Sequence, residues 1–229
     1  MRQLPLQFAV ADKPSFANFW VGANAVAHAA ARALAAGGRG PLYVFGPSGC
    51  GKTHLLVAAA RDAGTNGPCR YLSLADTGEA AWQALADVPR DALVCLDDVQ
   101  AAASCPEREG RLFALFEALS PARRILLAAR ANPAGLAWSR EDVRTRLLSG
   151  PVLALQGLED ADKARAVQYR ARERGLALSD ASAAYLLAHG PRDLRALFVL
   201  LERLDHATLA DGRSLTIPYL REVLSRPAD

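Results

Sequence analysis

The sequence predicts an α/β fold, a parallel five-stranded sheet with helices on both faces, followed by a small all-helical domain. Three observations predict it. The stretch PLYVFGPSGCGKTHLL sets a glycine-rich loop between an apolar strand and an apolar helix. The stretch ALVCLDDVQ is a continuous apolar run, suited to a central parallel strand, that ends in two acids. From about Glu159 onward the strand pattern stops and helical periodicity takes over.

Each element follows in order. Near the N-terminus Leu4, Leu6 and Phe8 alternate with Gln3, Pro5 and Gln7, so an extended chain places the three apolar residues on one face. Such a strip needs a groove, either in this chain's own sheet or on another protein. Leu42–Phe45 reads as the first strand, followed by the loop and by a helix whose apolar positions include Leu55, Leu56 and Ala59. Cys69–Ser73, Ala92–Leu96, Ile125–Ala129 and Val152–Leu155 read as the other strands, with helices near Gly78–Leu85 and Gly110–Leu119. The helical domain is expected to use Ala161–Arg174, Ala181–His189, Asp193–Leu209 and a short helix after Thr216. The expected organisation is an N-terminal peptide over residues 1–10, an α/β domain over 11–157 and a helical lid over 158–229.

Composition narrows the classes. With 229 residues, 51% hydrophobic and 22% charged, the chain can bury a sizeable core. No apolar run approaches a membrane span and the N-terminus lacks a secretory pattern, so a cytoplasmic protein without membrane contact is expected. Cys50, Cys69, Cys95 and Cys105 form no CxxC pair and have no histidines at ligand spacing, which argues against zinc and against a disulfide framework. A net charge of +3 without a basic run does not by itself imply nucleic acid. Lys13, Lys52 and Lys163 are the lysines of an arginine-rich chain, so arginines must be argued from position.

The loop Gly46, Pro47, Ser48, Gly49, Cys50, Gly51, Lys52, Thr53 has the G-x4-G-K-T form in the context that form requires. Its glycines let the backbone wrap an anion, with successive N–H groups and the positive end of the next helix facing phosphates. Lys52 is placed to reach the β- and γ-phosphates of ATP, or the β-phosphate of ADP, and the Thr53 hydroxyl to take a position on Mg2+. Asp97 would hold that cation through its water shell, and Asp98 would orient or deprotonate an attacking water.

These residues, with SFANFWVGANAVA around Phe16, Phe19, Gly22 and Asn24, resemble the AAA+ ATPases of the DnaA replication-initiator group over nearly the whole chain. The resemblance implies that the Phe16–Asn24 segment, Phe19 included, wraps the adenine and that the nucleotide set runs from Gly46 through His54. It also implies an arginine finger at Arg146, projected across an interface to a neighbour's γ-phosphate, and a lid sensor at Arg195. Arg144 and Arg192 are the nearby alternatives for these two roles. Arg130 and Asn132 both compete for the polar sensor after the fourth strand. Full initiators carry a C-terminal helix-turn-helix DNA reader, which is not expected in a chain ending at Asp229. The short Leu74–Leu93 segment argues likewise against a single-strand channel, so DNA contact is expected to be indirect.

A DnaA-like ATPase without that reader and preceded by QLPLQF resembles the regulatory inactivators of DnaA. Gln3, Leu4, Leu6 and Phe8 then match the Q-L-x-L-x-F form of peptides that bind the DNA polymerase III sliding clamp (beta subunit). Two buried apolar side chains at about 1.5–3 kcal/mol each support weak to moderate binding. The implied function is a regulator of initiation. It would be recruited by the DNA-loaded clamp and use Arg146 in trans to promote hydrolysis of DnaA-bound ATP. An autonomous AAA+ ATPase, a helicase loader and a nucleotide-indifferent clamp adaptor stay open as alternatives, as do weak intrinsic turnover and a homo-oligomer.

Overall fold

The computed structural model describes residues 13–75, 79–119 and 124–225. The chain divides into two compact units, the first ending at Leu155 and the second beginning at Gln156.

In the first unit β1 (Pro41–Phe45), β2 (Cys69–Ser73), β3 (Leu93–Asp97), β4 (Ile125–Ala129) and β5 (Val152–Ala154) form a five-stranded parallel sheet in the order β2-β3-β4-β1-β5. β3 and β4 are buried at every position, as their unbroken apolar runs require when both sheet faces are covered. Alternate residues go to opposite faces. Leu42, Val44, Leu93, Cys95, Leu126 and Ala128 pack under α1 (Ala25–Ala35) and α2 (Lys52–Ala63). Tyr43, Val94, Leu96, Ile125 and Leu127 instead meet Leu112 and Phe116 of α4 (Pro106–Ala118), Val143 and Leu147 of α5 (Glu141–Leu147), and Trp82 of the short α3 (Glu79–Gln83).

The strands fall where the sequence places them, within a residue at each end. The third is shifted by one, so Asp97 is the last strand residue and Asp98 leaves the sheet in a left-handed conformation (φ 56°, ψ 41°). α4 starts four residues before the Gly110 that the sequence suggests, because Pro106 occupies its first turn, where a missing N–H costs no hydrogen bond. Sequence periodicity did not bring out α1 and α5. α1 buries mostly alanines, Ala27, Ala31 and Ala35 beside Leu34, and α5 is a two-turn helix with only Val143 and Leu147 inside.

The second unit contains α6 (Asp160–Glu173), α7 (Asp180–His189), α8 (Leu194–Asp211) and α9 (Ile217–Ser225) around Val167, Leu186, Leu197, Leu201, Leu204, Tyr219 and Leu220. The caps set the boundaries. Ser179 Oγ accepts from the Ser182 N–H at 3.1 Å, and Asp193 Oδ2 accepts from the Ala196 N–H at 3.1 Å. Gly212, at φ 62°, ends α8. Arg174, just past α6, binds Glu202 of α8 at 2.6 Å. Among the described residues no helix is long and apolar enough to cross a membrane.

Candidate nucleotide site

The loop between β1 and α2 is built by steric exclusion. A Cβ on Gly46 would lie 2.2 Å from the Leu155 carbonyl oxygen, which no backbone contact tolerates. Gly51 sits at φ 95°, and a Cβ there would meet the Phe19 ring at 3.0 Å. Gly51 caps α2 without a side-chain acceptor, so the first N–H groups of the helix are left for a ligand. Lys52 is 8% exposed and folds over the loop, its Nζ donating to the Gly46 and Pro47 carbonyls at 2.8 and 2.7 Å. Cys50 Sγ lies 3.7 Å from the same nitrogen. The loop's partners for the ammonium are thus uncharged, which leaves its positive charge to attract an anion.

The acidic end of β3 meets α2 directly. Thr53 Oγ1 donates to Asp97 Oδ2 at 2.6 Å, and Asp97 is 2% exposed. A hydroxyl that gives its proton to a carboxylate keeps its lone pairs for a cation. The Asp98 N–H donates to Asp97 Oδ1 at 2.9 Å, and the Tyr71 hydroxyl donates to Asp97 Oδ2 at 3.3 Å. Burial first, then the charge of Asp97, pushes the Tyr71 phenol well above its ordinary range. Asp98 is held from its other side, where Gln100 Nε2 donates to Oδ1 at 2.8 Å. Gln100 Oε1 accepts from the Arg130 N–H at 3.1 Å, so one side chain joins the ends of β3 and β4.

Hydroxyl and carboxylate oxygens are the donors Mg2+ prefers, and Thr53 and Asp97 fit that ion. Among the described residues no group of three or more His, Cys, Asp or Glu side chains could hold a metal. Thr53 and Asp97 therefore suit a cation that draws its remaining ligands from phosphate and water.

The segment before α1 packs beside the loop. Phe19 is buried, stacks on His28 with ring centroids 5.4 Å apart and meets His54 edge-on at 5.4 Å. Phe16 meets His28 edge-on, and the His54 ring nitrogen lies 3.0 Å from the Ser15 carbonyl. The structure therefore brings together Phe19, Gly46 to His54, Asp97 and Asp98. Arg146 lies elsewhere, on α5, where it pairs with Glu117 of α4 at 2.6 Å. Arg144 pairs with Glu141 of its own helix at 3.0 Å. Arg195 is the second residue of α8, in the other unit. Gln3, Leu4, Leu6 and Phe8 lie outside the described residues. Of the two sensor candidates, Asn132 caps a local turn through the Ala134 N–H at 2.9 Å, and Arg130 is tied by its backbone to Gln100.

Three residues with a part in this architecture escaped sequence reasoning. Tyr71 reads as an ordinary strand aromatic, and Gln100 as a polar residue just past the acidic pair. Glu109 reads as a solvated acid in a helix's first turn, yet it is 0% exposed. Its Oε1 accepts from the Ser104 and Ser139 N–H groups at 3.1 and 3.0 Å and its Oε2 from the Arg140 N–H at 2.7 Å, which pins the loop leading into α5. No sequence signal marks it.

The sequence matches the profile of the bacterial DnaA ATPase domain over residues 10–154 and that of the Hda lid domain over residues 160–224. The fold is similar to domain III of Thermotoga maritima DnaA, with a TM-score of 0.75 and 20% identity over 94% of this chain and 98% of that one. It is also similar to replication initiator DnaA bound to AMPPCP and single-stranded DNA, with a TM-score of 0.71 and 23% identity over 88% of this chain and 69% of that one. For AMPPCP-bound DnaA from Aquifex aeolicus the TM-score is 0.68 and the identity 25%, over 81% of this chain and 63% of that one. One profile spans well over half of the sequence, the other spans its helical unit, and the parallel sheet has the DnaA fold, so the chain belongs to the bacterial DnaA ATPase-domain family as an Hda-like AAA+ protein.

Proposed function

We propose that this protein regulates replication initiation by promoting hydrolysis of ATP bound to DnaA. The observation that carries the reading is the pairing of a DnaA-type ATPase unit with a lid of the Hda type. The loop from Gly46 to His54 would bind ADP or ATP, with Phe19 at the base, Lys52 on the phosphates and Arg195 contributing from the lid. Thr53 and Asp97 would hold Mg2+, which supplies charge neutralisation on the phosphates when bound. Residues 1–10 would be the clamp peptide, residues 11–157 the nucleotide-binding domain and residues 158–229 the lid. The DNA-loaded clamp would capture Gln3, Leu4, Leu6 and Phe8 and bring the protein to DnaA, so that DNA is met through the clamp.

Arg146 would then leave Glu117 and place its guanidinium on the γ-phosphate of DnaA's ATP. There it would stabilise the charge that develops as water attacks, leaving ADP on DnaA. The test is DnaA-bound ATP followed over time with this protein, with and without loaded clamp. Acceleration that needs the clamp is expected, and none in either condition would refute the reading. Replacing Leu6 and Phe8 together by alanine should abolish clamp capture and leave ADP binding intact.

A second reading, autonomous ATP hydrolysis, is favoured by one observation. Asp98 is held by Gln100 beside Asp97, as a residue orienting water in this chain's own site would need to be. Turnover by the purified protein without DnaA separates the two.

A further inference from the structure

Tyr71 is tied to the acidic end of β3 without belonging to the loop or the acidic pair. We propose that Tyr71 is a positioning residue for the divalent-cation site, its hydroxyl holding Asp97 in the orientation in which the carboxylate meets the cation. The inference rests on the nucleotide-site reading above.

The strand register explains how Tyr71 reaches its partner. Tyr71 stands opposite Cys95, and Ser73 opposite Asp97. The phenol must therefore extend along the strand by two residues, about 6.6 Å, the span of a tyrosine side chain. Asp97 Oδ2 accepts from both Thr53 and Tyr71, and Oδ1 accepts from the Asp98 N–H, so neither oxygen is free to turn. Thr53 is itself placed as a cation ligand, through the lone pairs its hydroxyl keeps while donating to Asp97. Tyr71 has no such second duty, and its bond serves only to hold the carboxylate. Packing gives no reason for the oxygen, because the ring lies against the apolar cluster beneath α2, which phenylalanine would fill equally.

The test is calorimetric titration of the full chain with ADP in EDTA and at a series of Mg2+ concentrations. For Tyr71→Phe, ADP affinity in EDTA should stay within about twofold of native. The Mg2+ concentration giving half of the affinity gain should rise by roughly tenfold to a hundredfold, the usual cost of losing a group that orients a metal ligand. Tyr43→Phe is the control. Its hydroxyl donates to the Ala131 carbonyl at 3.0 Å, so it loses a comparable bond on another strand of the sheet and should leave the Mg2+ dependence unchanged. An unchanged half-point in Tyr71→Phe overturns the proposal, as does an equal shift in Tyr43→Phe, which would mean general softening. If Tyr71→Phe fails to fold, 3-fluorotyrosine at position 71, which keeps the ring and alters the donor, should still move the half-point, and no movement there overturns it. ADP binding by the native protein that ignores Mg2+ overturns this inference alone. No ADP binding at all overturns the nucleotide site with it.

Discussion

Lys52 and Arg146 lie in the same α/β unit and face different kinds of partner. The Lys52 ammonium is buried and held by two uncharged carbonyls of its own loop. The Arg146 guanidinium, 28% exposed, is held by one carboxylate that is itself half exposed. A buried cation resting on neutral acceptors keeps its place and its field, which serves a ligand entering that loop. A surface cation on a single exposed carboxylate can exchange that partner for another anion at little cost. The contrast separates a residue suited to work within its own chain from one suited to reach outside it.

The strongest way to break the contrast is Arg146→Ala. Stimulated hydrolysis of DnaA-bound ATP should fall by about 10³- to 10⁵-fold, the range that arginine fingers supply. ADP binding and melting should not change. Arg146→Lys should rescue poorly, since an ammonium lacks the planar fork. Arg144→Ala, which breaks only a pair within its own helix, should keep stimulation. Loss in Arg144→Ala with retention in Arg146→Ala would move the finger by two residues.

Next in size is Glu109→Ala, which asks whether the ground beneath Arg146 is as firm as that beneath Lys52. It orphans three backbone N–H donors, and at about 1 kcal/mol or more each the loss of stability should reach about 3 kcal/mol in urea unfolding. Hydrogen exchange should quicken over residues 137–147 and stay slow over 46–53. Uniform loosening of both regions would show that the two are one cooperative unit.

That difference also marks how far the sequence could be read. The loop, the acidic strand and all five strands were legible because glycine spacing and unbroken apolar runs are local signals. The four helices of the second unit were legible in their helical periodicity, and Ser179, Asp193 and Gly212 mark ends of two of them, α7 and α8. α1 and α5 were not, since alanine on a buried face barely contrasts with alanine on an exposed one, and two turns are too short for a period. Nor were the bonds that shape the site. Glu109 to Arg140 spans 31 residues and Gln100 to Arg130 spans 30, and tertiary bonds between polar residues leave no periodic trace.

Lys52→Ala tests the other side of the contrast. A charged hydrogen bond is worth about 1.5–3 kcal/mol, so ADP affinity by calorimetry should fall by about 10- to 100-fold. The rise in melting temperature with ADP should shrink accordingly, because ligand stabilises only by binding the folded state. Unchanged affinity would mean that the ammonium serves the loop's carbonyls and not a phosphate.

The smallest expected effect is the most discriminating for Arg146. In Glu117→Gln the side chain keeps its size and loses its charge, so what changes is the competitor for the guanidinium. An ion pair this exposed contributes about 0–1 kcal/mol, and the melting transition should hardly move. Any phosphate that Arg146 meets must first displace Glu117, so removing the charge should raise stimulation of DnaA's hydrolysis, by no more than about fivefold for 1 kcal/mol. The advantage should fade in salt as the Debye length drops from about 8 Å at 0.15 M to about 3 Å at 1 M, since native and variant then differ less in free guanidinium. A tenfold loss would reverse the argument. Glu117 would then aim the guanidinium rather than compete for it, and Arg146, like Lys52, would be a cation held in place by its own chain.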